Sequence, residues 1–220
     1  MARPQVTLKL ATSLDGRIAT ATGESQWITG EASRATVQAL RAAHDAVMIG
    51  AETARADNPS LMARTDPPAE RQPLRVVLTT RLELQPEGRL FEGLTRSPLV
   101  LFAGVRSSPA RHAVFAAMGV RIEEVPLASG GLDLAAVLER LAELDVDNVL
   151  VEGGGKLAAS LVTAGVVDRL EWFRAPILLG ADGRPGLASL PMQRLANAPQ
   201  WRRVAVRELG PDLWESYERR

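Results

Sequence analysis

Short apolar runs alternate with amphipathic segments along most of the chain, and this alternation constrains the fold more than any other feature. The apolar runs have the length and composition of strands and occupy residues 6–11, 46–50, 74–80, 98–103, 120–126, 148–154 and 168–180. Amphipathic segments typical of helices lie between them, at 31–43, 109–118, 134–144 and 156–165. Strands that alternate with helices in this way predict an α/β fold with a mostly parallel sheet flanked by helices.

Local signals predict several boundaries of these elements. Asp133 precedes the third helical segment as an N-cap residue, and Thr29 is a candidate cap for the first one. Segments 201–209 and 212–219 flank Gly210–Pro211 and alternate in and out, which predicts an antiparallel hairpin near the C-terminus. The sheet is therefore predicted to be mixed.

The composition narrows the class of protein. The chain has 220 residues, the length of one domain, so we predict a single domain over residues 1–220. Its 26 acidic and 26 basic residues balance, which argues against a nucleic-acid partner. Because the chain has no cysteine, disulfides, thiolate metal sites and cysteine nucleophiles are excluded. Only two histidines, His44 and His112, are present, so we expect no metal.

Targeting signals are not apparent in the sequence. No apolar run reaches the roughly 18 residues of a membrane helix, and the first residues lack the apolar core of a signal peptide. Together with the lack of cysteine, this predicts a cytoplasmic protein without membrane contacts.

Three consecutive glycines, Gly153, Gly154 and Gly155, join a predicted strand to a predicted helix. Ligands of open α/β sheets bind beyond the carboxyl ends of the strands. A helix N-terminus presents unpaired N–H groups there, and glycine lets an anion approach them closely. The glycines therefore predict a phosphate cradle, with a nucleotide pyrophosphate as the leading candidate. The alternative is a tight turn alone, since the spacing matches neither a dinucleotide-binding GxGxxG nor a P-loop.

Polar residues near these junctions are candidates for chemistry. A second strand-to-helix turn at Gly50 leads to Thr53, which either caps the turn or binds a phosphate. Two such turns in one sheet suit the two ends of a dinucleotide. Glu152 ends the strand before the glycines and either forms a structural ion pair or manages a substrate proton. Lys9 lies within the first strand and is either solvated or directed inward.

Five segments, in order, resemble the reductase domain of the bacterial bifunctional riboflavin biosynthesis deaminase/reductase. They are KLATSLDGRIA, ESQWITGEASR, LRAAHDAVMIGAETARADNPSL, VEGGGKL and DRLEWFRAPILLG, and the resemblance extends from about Val6 to Gly180 plus the hairpin-like tail. It implies a dihydrofolate-reductase-like fold and a homodimer. It also implies reduction of 5-amino-6-(5-phosphoribosylamino)uracil with NADPH, in which a hydride reaches C1′ of the ribosyl group and a proton reaches the ring oxygen that opens.

The resemblance implies a set of cofactor contacts. It carries over to Ala11, Trp27, Thr53, Asp57, Thr80 and the run Gly154, Gly155, Lys156, Leu157, Ala158, Ala159 and Ser160, to which the glycine argument adds Gly153. Arg81 is our own candidate for a 2′-phosphate contact, because a guanidinium suits that group. Its alternative role is that of a solvated turn residue.

The resemblance also implies a substrate site. Substrate contacts carry over to Ser25, Arg41, Leu61, Arg64 and Glu152, and Lys9 matches a lysine near the reacting sugar. Two arginines suit a ribose 5-phosphate. We expect Lys9 and Glu152 to hold and polarise the opening ribose, with either Lys9 or a water as proton donor. Asp15 is interpreted as a turn residue that shapes the site.

Departures from the family pattern keep other functions open. A zinc deaminase needs an H-x-E and a P-C-x-x-C set, so we expect no deaminase activity from this cysteine-free chain. Met62 stands where the family commonly has threonine, and Asn58 where it commonly has aspartate. The alternatives are an NADPH reductase acting on a pterin or another heterocycle, a non-catalytic nucleotide-binding protein, and a structural protein without a ligand.

Overall fold

The computed structural model describes residues 2–220, whose contacts divide into two compact units. Unit 1 comprises residues 2–4 and Gln38–Leu150, and unit 2 comprises Gln5–Val37 and Val151–Arg220. The single domain expected from the chain length stays a prediction. Among residues 2–220, no helix combines the length and apolar character that a membrane span requires.

The secondary-structure elements are numbered in chain order. The strands are β1 Gln5–Thr12, β2 Arg17–Ala19, β3 Ala46–Gly50, β4 Leu74–Leu78, β5 Leu99–Gly104, β6 Arg121–Val125, β7 Leu127–Ala128, β8 Gly131–Leu132, β9 Asn148–Glu152, β10 Arg169–Arg174, β11 Arg184–Pro185, β12 Trp201–Leu209 and β13 Asp212–Arg219. The α-helices are α1 Glu31–Ala42, α2 Ala51–Asp57, α3 Pro109–Ala117, α4 Leu134–Ala142 and α5 Gly155–Thr163. Two 3-10 turns lie at Arg89–Phe91 and Leu195–Asn197.

Unit 1 is built on parallel strands. Its strand order is β9-β3-β4-β5-β6, with β9 belonging to this unit only up to Leu150, and the pairs β3–β4, β4–β5 and β5–β6 are parallel. Most apolar side chains of the middle strands are buried, as in sheets covered on both faces, and Val47, Val77 and Leu101 belong to the same core cluster as Phe115 of α3. Helix α4 begins as predicted, because the Asp133 carboxylate accepts hydrogen bonds from the N–H groups of Ala135 and Ala136.

Unit 2 combines parallel and antiparallel pairing. β1 is parallel to β10, whereas β13 is antiparallel to both β10 and β12. The hairpin between β12 and β13 turns at Gly210, whose φ of +64° favours glycine. A small antiparallel ribbon of β2 and β11 completes the strands of this unit. The predicted mixed, mostly parallel sheet with an antiparallel C-terminal hairpin is confirmed.

Two predicted boundaries are wrong. The strand expected over residues 168–180 ends at Arg174, and Pro176 soon after it cannot donate to a sheet ladder. Gly30, not Thr29, directly precedes α1. The groups at this helix start are satisfied instead by the distant Asp212, which accepts hydrogen bonds from Gly30 N–H at 2.7 Å and from the Ser33 hydroxyl at 2.6 Å.

Candidate functional site

Unit 2 brings the side chains of Lys9 and Glu152 together. The Lys9 Nζ atom lies 3.9 Å from Glu152 Oε2, and only 16% and 8% of the two side chains are exposed. Lys9 is therefore directed inward, which decides between the two orientations that the sequence left open. The contact is longer than a hydrogen bond, so the two groups interact mainly through their charges.

A second buried carboxylate lies beside Lys9 but is occupied by other groups. Glu171 of β10 is the cross-strand partner of Lys9 and is 2% exposed. Its carboxylate accepts hydrogen bonds from Trp214 Nε1 at 2.6 Å and the Ser216 hydroxyl at 2.5 Å, and it also pairs with Arg169. Sequence reasoning missed this network, because only the register of β10 and β13 places its members on one face.

The three glycines have separate structural reasons. Gly153 and Gly154 have φ angles of +103° and +84°, which side chains rarely allow. At Gly155 an added Cβ would lie 2.5 Å from the carbonyl oxygen of Pro185, and the Gly155 carbonyl accepts a 2.9 Å hydrogen bond from Ala188 N–H. The chain itself therefore explains the bare backbone at Gly155.

The same turn forms the N-terminus of α5. Gly154 is the N-cap residue and has no side chain to cap the helix. The first N–H groups of any α-helix lack partners within it, and they carry the positive end of the helix dipole. The residues predicted to bind cofactor phosphates, from Gly153 to Ser160, therefore lie where an anion is favoured. That they bind one stays a prediction.

Other predicted contacts of unit 2 lie on β1 and on the loop that follows β2. Ala11 is half-buried on β1, and Ser25 accepts a backbone hydrogen bond from Ile28 N–H at 3.2 Å. The Trp27 side chain is 68% exposed, and the Arg34 guanidinium lies 4.7 Å from its ring centroid. An exposed indole held by a cation offers a flat surface that a ligand ring can cover.

Asp15 connects two loops of unit 2. Its carboxylate accepts hydrogen bonds from the Ser13 hydroxyl at 2.6 Å and from the N–H groups of Leu179 and Gly180 at 3.1 and 2.8 Å. The Ser13 hydrogen bond first, and the backbone donors after it, lower the pKa of Asp15 to about 2. Asp15 thus holds the turn after β1 against residues 177–180.

Unit 1 gathers three predicted substrate contacts. Arg41, near the end of α1, donates to the carbonyl of Met62 at 3.2 Å, and the N–H of Arg64 donates to the Gln38 side chain at 2.9 Å. Leu61 has a φ of +58° and is 1% exposed. Its side chain therefore belongs to the core, and only its backbone remains as a possible ligand contact.

The predicted cofactor contacts of unit 1 lie on α2 and at the end of β4. Thr53 is inside α2, and Gly50 is the N-cap residue, so the capping role considered for Thr53 is wrong. Asp57 ends the helix. Thr80 lines a cavity of about 310 Å³ together with Arg81. A larger cavity of about 560 Å³, bordered by Asn58 and Gly88 among others, includes none of the predicted contacts.

The geometry supports polar chemistry on an organic substrate. Lys9 supplies a cation and Glu152 an anion within reach of each other. Within residues 2–220, no group of three or more histidine, aspartate or glutamate side chains is placed to hold a metal ion. Hydride transfer requires a cofactor that supplies the hydride, whereas the protein supplies binding and electrostatics.

Comparisons with known proteins give consistent matches. The chain matches the RibD C-terminal domain over residues 4–214. It is 38% identical over 212 residues to the riboflavin biosynthesis protein RibD of Bacillus amyloliquefaciens, covering 96% of this chain and 56% of that protein. Among solved structures, RibD of Acinetobacter baumannii has a TM-score of 0.86 at 29% identity, covering 99% of this chain and 58% of the other. A Thermotoga maritima diaminohydroxyphosphoribosylaminopyrimidine deaminase/5-amino-6-(5-phosphoribosylamino)uracil reductase has a TM-score of 0.80 at 28% identity, covering 99% and 57%.

More distant structures confirm the predicted fold class. A dihydrofolate reductase from Enterococcus faecalis, complexed with NADP(H), has a TM-score of 0.52 at 15% identity and covers 98% of this chain and 96% of the other. The dihydrofolate-reductase-like fold is thereby established. The chain spans little more than half the length of the RibD proteins it matches, 56% of the Bacillus protein and 58% of the Acinetobacter one.

Proposed function

The chain belongs to the RibD C-terminal domain family, and from this membership we propose that it reduces 5-amino-6-(5-phosphoribosylamino)uracil with NADPH to the ribitylamino compound. The matched Thermotoga protein is named for this reductase activity as well as for a deaminase. The observation that carries the proposal is the inward-facing pair Lys9 and Glu152, with 3.9 Å between their charged atoms.

The residues of unit 2 fit a dinucleotide cofactor. The glycine turn at Gly153–Gly154 lacks a capping side chain at the start of α5, which suits the pyrophosphate. Trp27 offers an exposed ring face. In this proposal the cofactor contacts of unit 2 are residues 153–160, Ala11 and Trp27. NADPH, when bound, supplies the hydride.

Lys9 and Glu152 act on the ribose of the substrate. The Glu152 carboxylate accepts a hydrogen bond from a sugar hydroxyl and so fixes the reacting carbon. The Lys9 ammonium donates to the ring oxygen, which becomes more basic as the C1′–O bond opens. The proton that this oxygen acquires comes from Lys9 or from a water that Lys9 holds. Because both side chains are largely buried, their charges act in a poorly screened environment.

The substrate phosphate requires a separate binding group. We assign it to Arg41 and Arg64, which lie at the same part of unit 1 as Leu61. A guanidinium binds a phosphate through two parallel hydrogen bonds.

The experiment that tests this function follows NADPH oxidation with substrate prepared by a separate deaminase. We expect substrate-dependent oxidation that falls about 100-fold or more in Glu152→Gln and in Lys9→Met. Glu70→Gln, an exposed carboxylate in the loop before β4, is the matched control and should retain full activity. Full activity in both site variants would overturn the assigned roles, and no oxidation by the unmodified protein would overturn the proposed reaction.

We further propose that the protein is a cytoplasmic homodimer, in keeping with the resemblance from which a dimer was expected. β12 is an edge strand of nine residues, and Val206 on it is 47% exposed. Long edge strands are surfaces through which sheets pair. Light scattering after size-exclusion chromatography should give the mass of two chains. Val206→Lys should lower the measured mass toward that of one chain.

A further inference from the structure

Residues 60–64 of unit 1 form an irregular segment, which carries two of the proposed substrate contacts, Leu61 and Arg64. Leu61 and Ala63 are only 1% and 5% exposed, so the backbone groups of these two residues are largely shielded from water. Shielded N–H and C=O groups require partners, and a segment outside helices and sheets must find them elsewhere. Side chains of neighbouring segments of unit 1 supply them here.

The Gln72 side chain, shortly before β4, holds Ala63 at both of its backbone groups. Gln72 Nε2 donates to the Ala63 carbonyl at 2.9 Å, and the Ala63 N–H donates to Gln72 Oε1 at 2.8 Å. One amide group thereby exchanges two hydrogen bonds with one residue, as paired residues of an antiparallel sheet do. Ala63 directly precedes Arg64, so this contact fixes the position from which the Arg64 side chain extends.

The start of the segment is held by a buried arginine. Arg75 of β4 is 0% exposed, and its Nη1 atom donates to the carbonyls of Ser60 at 3.3 Å and Leu90 at 2.7 Å. Its Nε and Nη2 atoms donate to the Ser97 carbonyl at 3.0 and 2.5 Å. Burial lowers the pKa of Arg75 to about 10, so the guanidinium remains charged at neutral pH. Because a buried charge is unfavourable without hydrogen bonds, Arg75 is confined to one position and provides a fixed anchor for Ser60.

Leu61 has a backbone conformation that requires such support. Its φ of +58° is uncommon for a residue with a bulky side chain, and conformations of this kind persist where the surrounding structure imposes them. Leu61 lies between Ser60, which Arg75 holds, and Ala63, which Gln72 holds. Loss of either support therefore favours a different path for the segment, which displaces the backbone of Arg64.

We propose that Gln72 is a positioning residue for substrate binding, which holds Arg64 where its guanidinium meets the phosphate of the substrate, while Arg75 secures the other end of the segment. The inference rests on the proposed reductase function and deepens it, because it assigns to Arg64 a support that lies outside the substrate contacts. Arg64 is exposed, so the direction of its side chain depends on the backbone that carries it. A binding segment that is ordered beforehand loses less entropy when the ligand binds.

The KM values of Gln72 variants test the inference. Gln72→Met removes both hydrogen bonds to Ala63 and keeps the length of the side chain. It should raise the KM for the phosphoribosyl substrate about fivefold or more and change kcat by less than about twofold, because the phosphate is bound equally in the ground and transition states. The KM for the dephosphorylated substrate should not rise. Gln85→Met, at an exposed glutamine elsewhere in unit 1, is the matched control and should change neither KM nor kcat.

Combination with Arg64→Ala separates positioning from a general loss of structure. Because Gln72 acts through Arg64, Gln72→Met should not raise the KM further in the Arg64→Ala background, whereas independent effects would add. Gln72→Glu is a second variant, which keeps an acceptor for the Ala63 N–H and loses the donor to its carbonyl. It should raise the KM in the same selective way, and it carries the test if Gln72→Met does not fold. An unchanged KM, an equal rise for the dephosphorylated substrate, or additive effects with Arg64→Ala would overturn the proposal.

Binding of ribose 5-phosphate separates this inference from the function on which it rests. Calorimetry with the whole protein should show that Gln72→Met binds this sugar phosphate about fivefold or more weakly than Gln85→Met does. If the unmodified protein reduces the substrate and Gln72→Met reacts and binds like it, the inference fails and the proposed reaction stands. If no substrate is reduced but ribose 5-phosphate binds in a Gln72-dependent way, the positioning role stands and the proposed reaction fails. Equal affinity of the two variants overturns the positioning role.

Discussion

The carboxylate of Asp212 accepts a hydrogen bond of 2.6 Å from the hydroxyl of Ser33, 179 positions earlier in the chain. The same oxygen accepts the N–H of Gly30 at 2.7 Å. The side chains of Asp212 and Ser33 are buried, with 2% and 0% of their surface exposed. Asp212, at the start of β13, therefore satisfies the donors at the start of α1 in place of the local candidate Thr29.

Asp212→Ala should lower the free energy of unfolding by about 2 kcal/mol or more, because it leaves the buried Ser33 hydroxyl and the half-buried Gly30 N–H without an acceptor. Ser33→Ala removes one of those donors and should cost less, about 1 kcal/mol. Asp182→Ala, at an exposed position of the same unit, should change stability by less than about 0.5 kcal/mol. Urea unfolding measures all three variants, and equal stability of the two aspartate variants would contradict the capping role.

The elements that the sequence predicts well are those with local causes. Helix α4 has its cap at Asp133 and its apolar residues at helical spacing, and β3 is a short run that is buried on both faces. Pairing between distant segments is different. The ribbon of β2 and β11 joins residues 17–19 to 184–185, and neither segment has the length or the apolar pattern of a strand. Such pairs form because the rest of the fold brings them together.

The pH dependence of stability should contain a contribution from Asp15. Its pKa is about 2 in the folded protein, below the ordinary value of 3.8. A carboxyl group with a lowered folded pKa stabilises the fold above its unfolded pKa, and this stabilisation is lost as the pH falls toward the folded pKa. The difference in unfolding free energy between the unmodified protein and Asp15→Asn should therefore be constant from pH 7 to about pH 5 and shrink between about pH 4 and pH 2. A difference that stays the same down to pH 2 would show that Asp15 does not titrate in this way.

The sign of the stability change at Gly155 distinguishes two physical effects. Alanine is a better helix residue than glycine by up to about 1 kcal/mol, so propensity alone would make Gly155→Ala stabilising. An added Cβ would lie 2.5 Å from the Pro185 carbonyl, so we expect a destabilisation of about 1–3 kcal/mol instead. Thermal and urea unfolding measure the sign. A stabilised variant would mean that segment 185–188 moves aside at little cost.

The candidate site could be predicted only in part from residue types. The glycine triplet pointed to a special turn, and the two positive φ angles at Gly153 and Gly154 agree with that. The sequence could not decide whether the Lys9 side chain points inward or toward solvent. The strand around it is buried on both faces, so its apolar and polar residues do not alternate clearly. The close approach of Pro185 to Gly155 was equally hidden. Both depend on contacts between segments far apart in sequence.

The two arginines assigned to the substrate phosphate distinguish the proposed reaction from reduction of a phosphate-free heterocycle such as a pterin. Arg64→Ala and Arg41→Ala should each raise the KM for the phosphoribosyl substrate about tenfold or more, because a charged hydrogen bond to phosphate is lost. kcat should change little if the phosphate is bound equally in the ground and transition states. Arg71→Ala, 74% exposed and beside Asp45, is the matched control and should leave KM unchanged.

Kinetics with the dephosphorylated substrate complete this test. That compound should react with a high KM that neither Arg41→Ala nor Arg64→Ala raises further, since the group they bind is absent. A large effect of either substitution on the KM for the dephosphorylated substrate would instead indicate that the arginine shapes the segment around Leu61. Arg41 donates a hydrogen bond to the Met62 carbonyl in that segment. If both variants keep the unmodified KM for the phosphorylated substrate, the phosphate is bound elsewhere. A phosphate-free substrate then becomes the better explanation of this site.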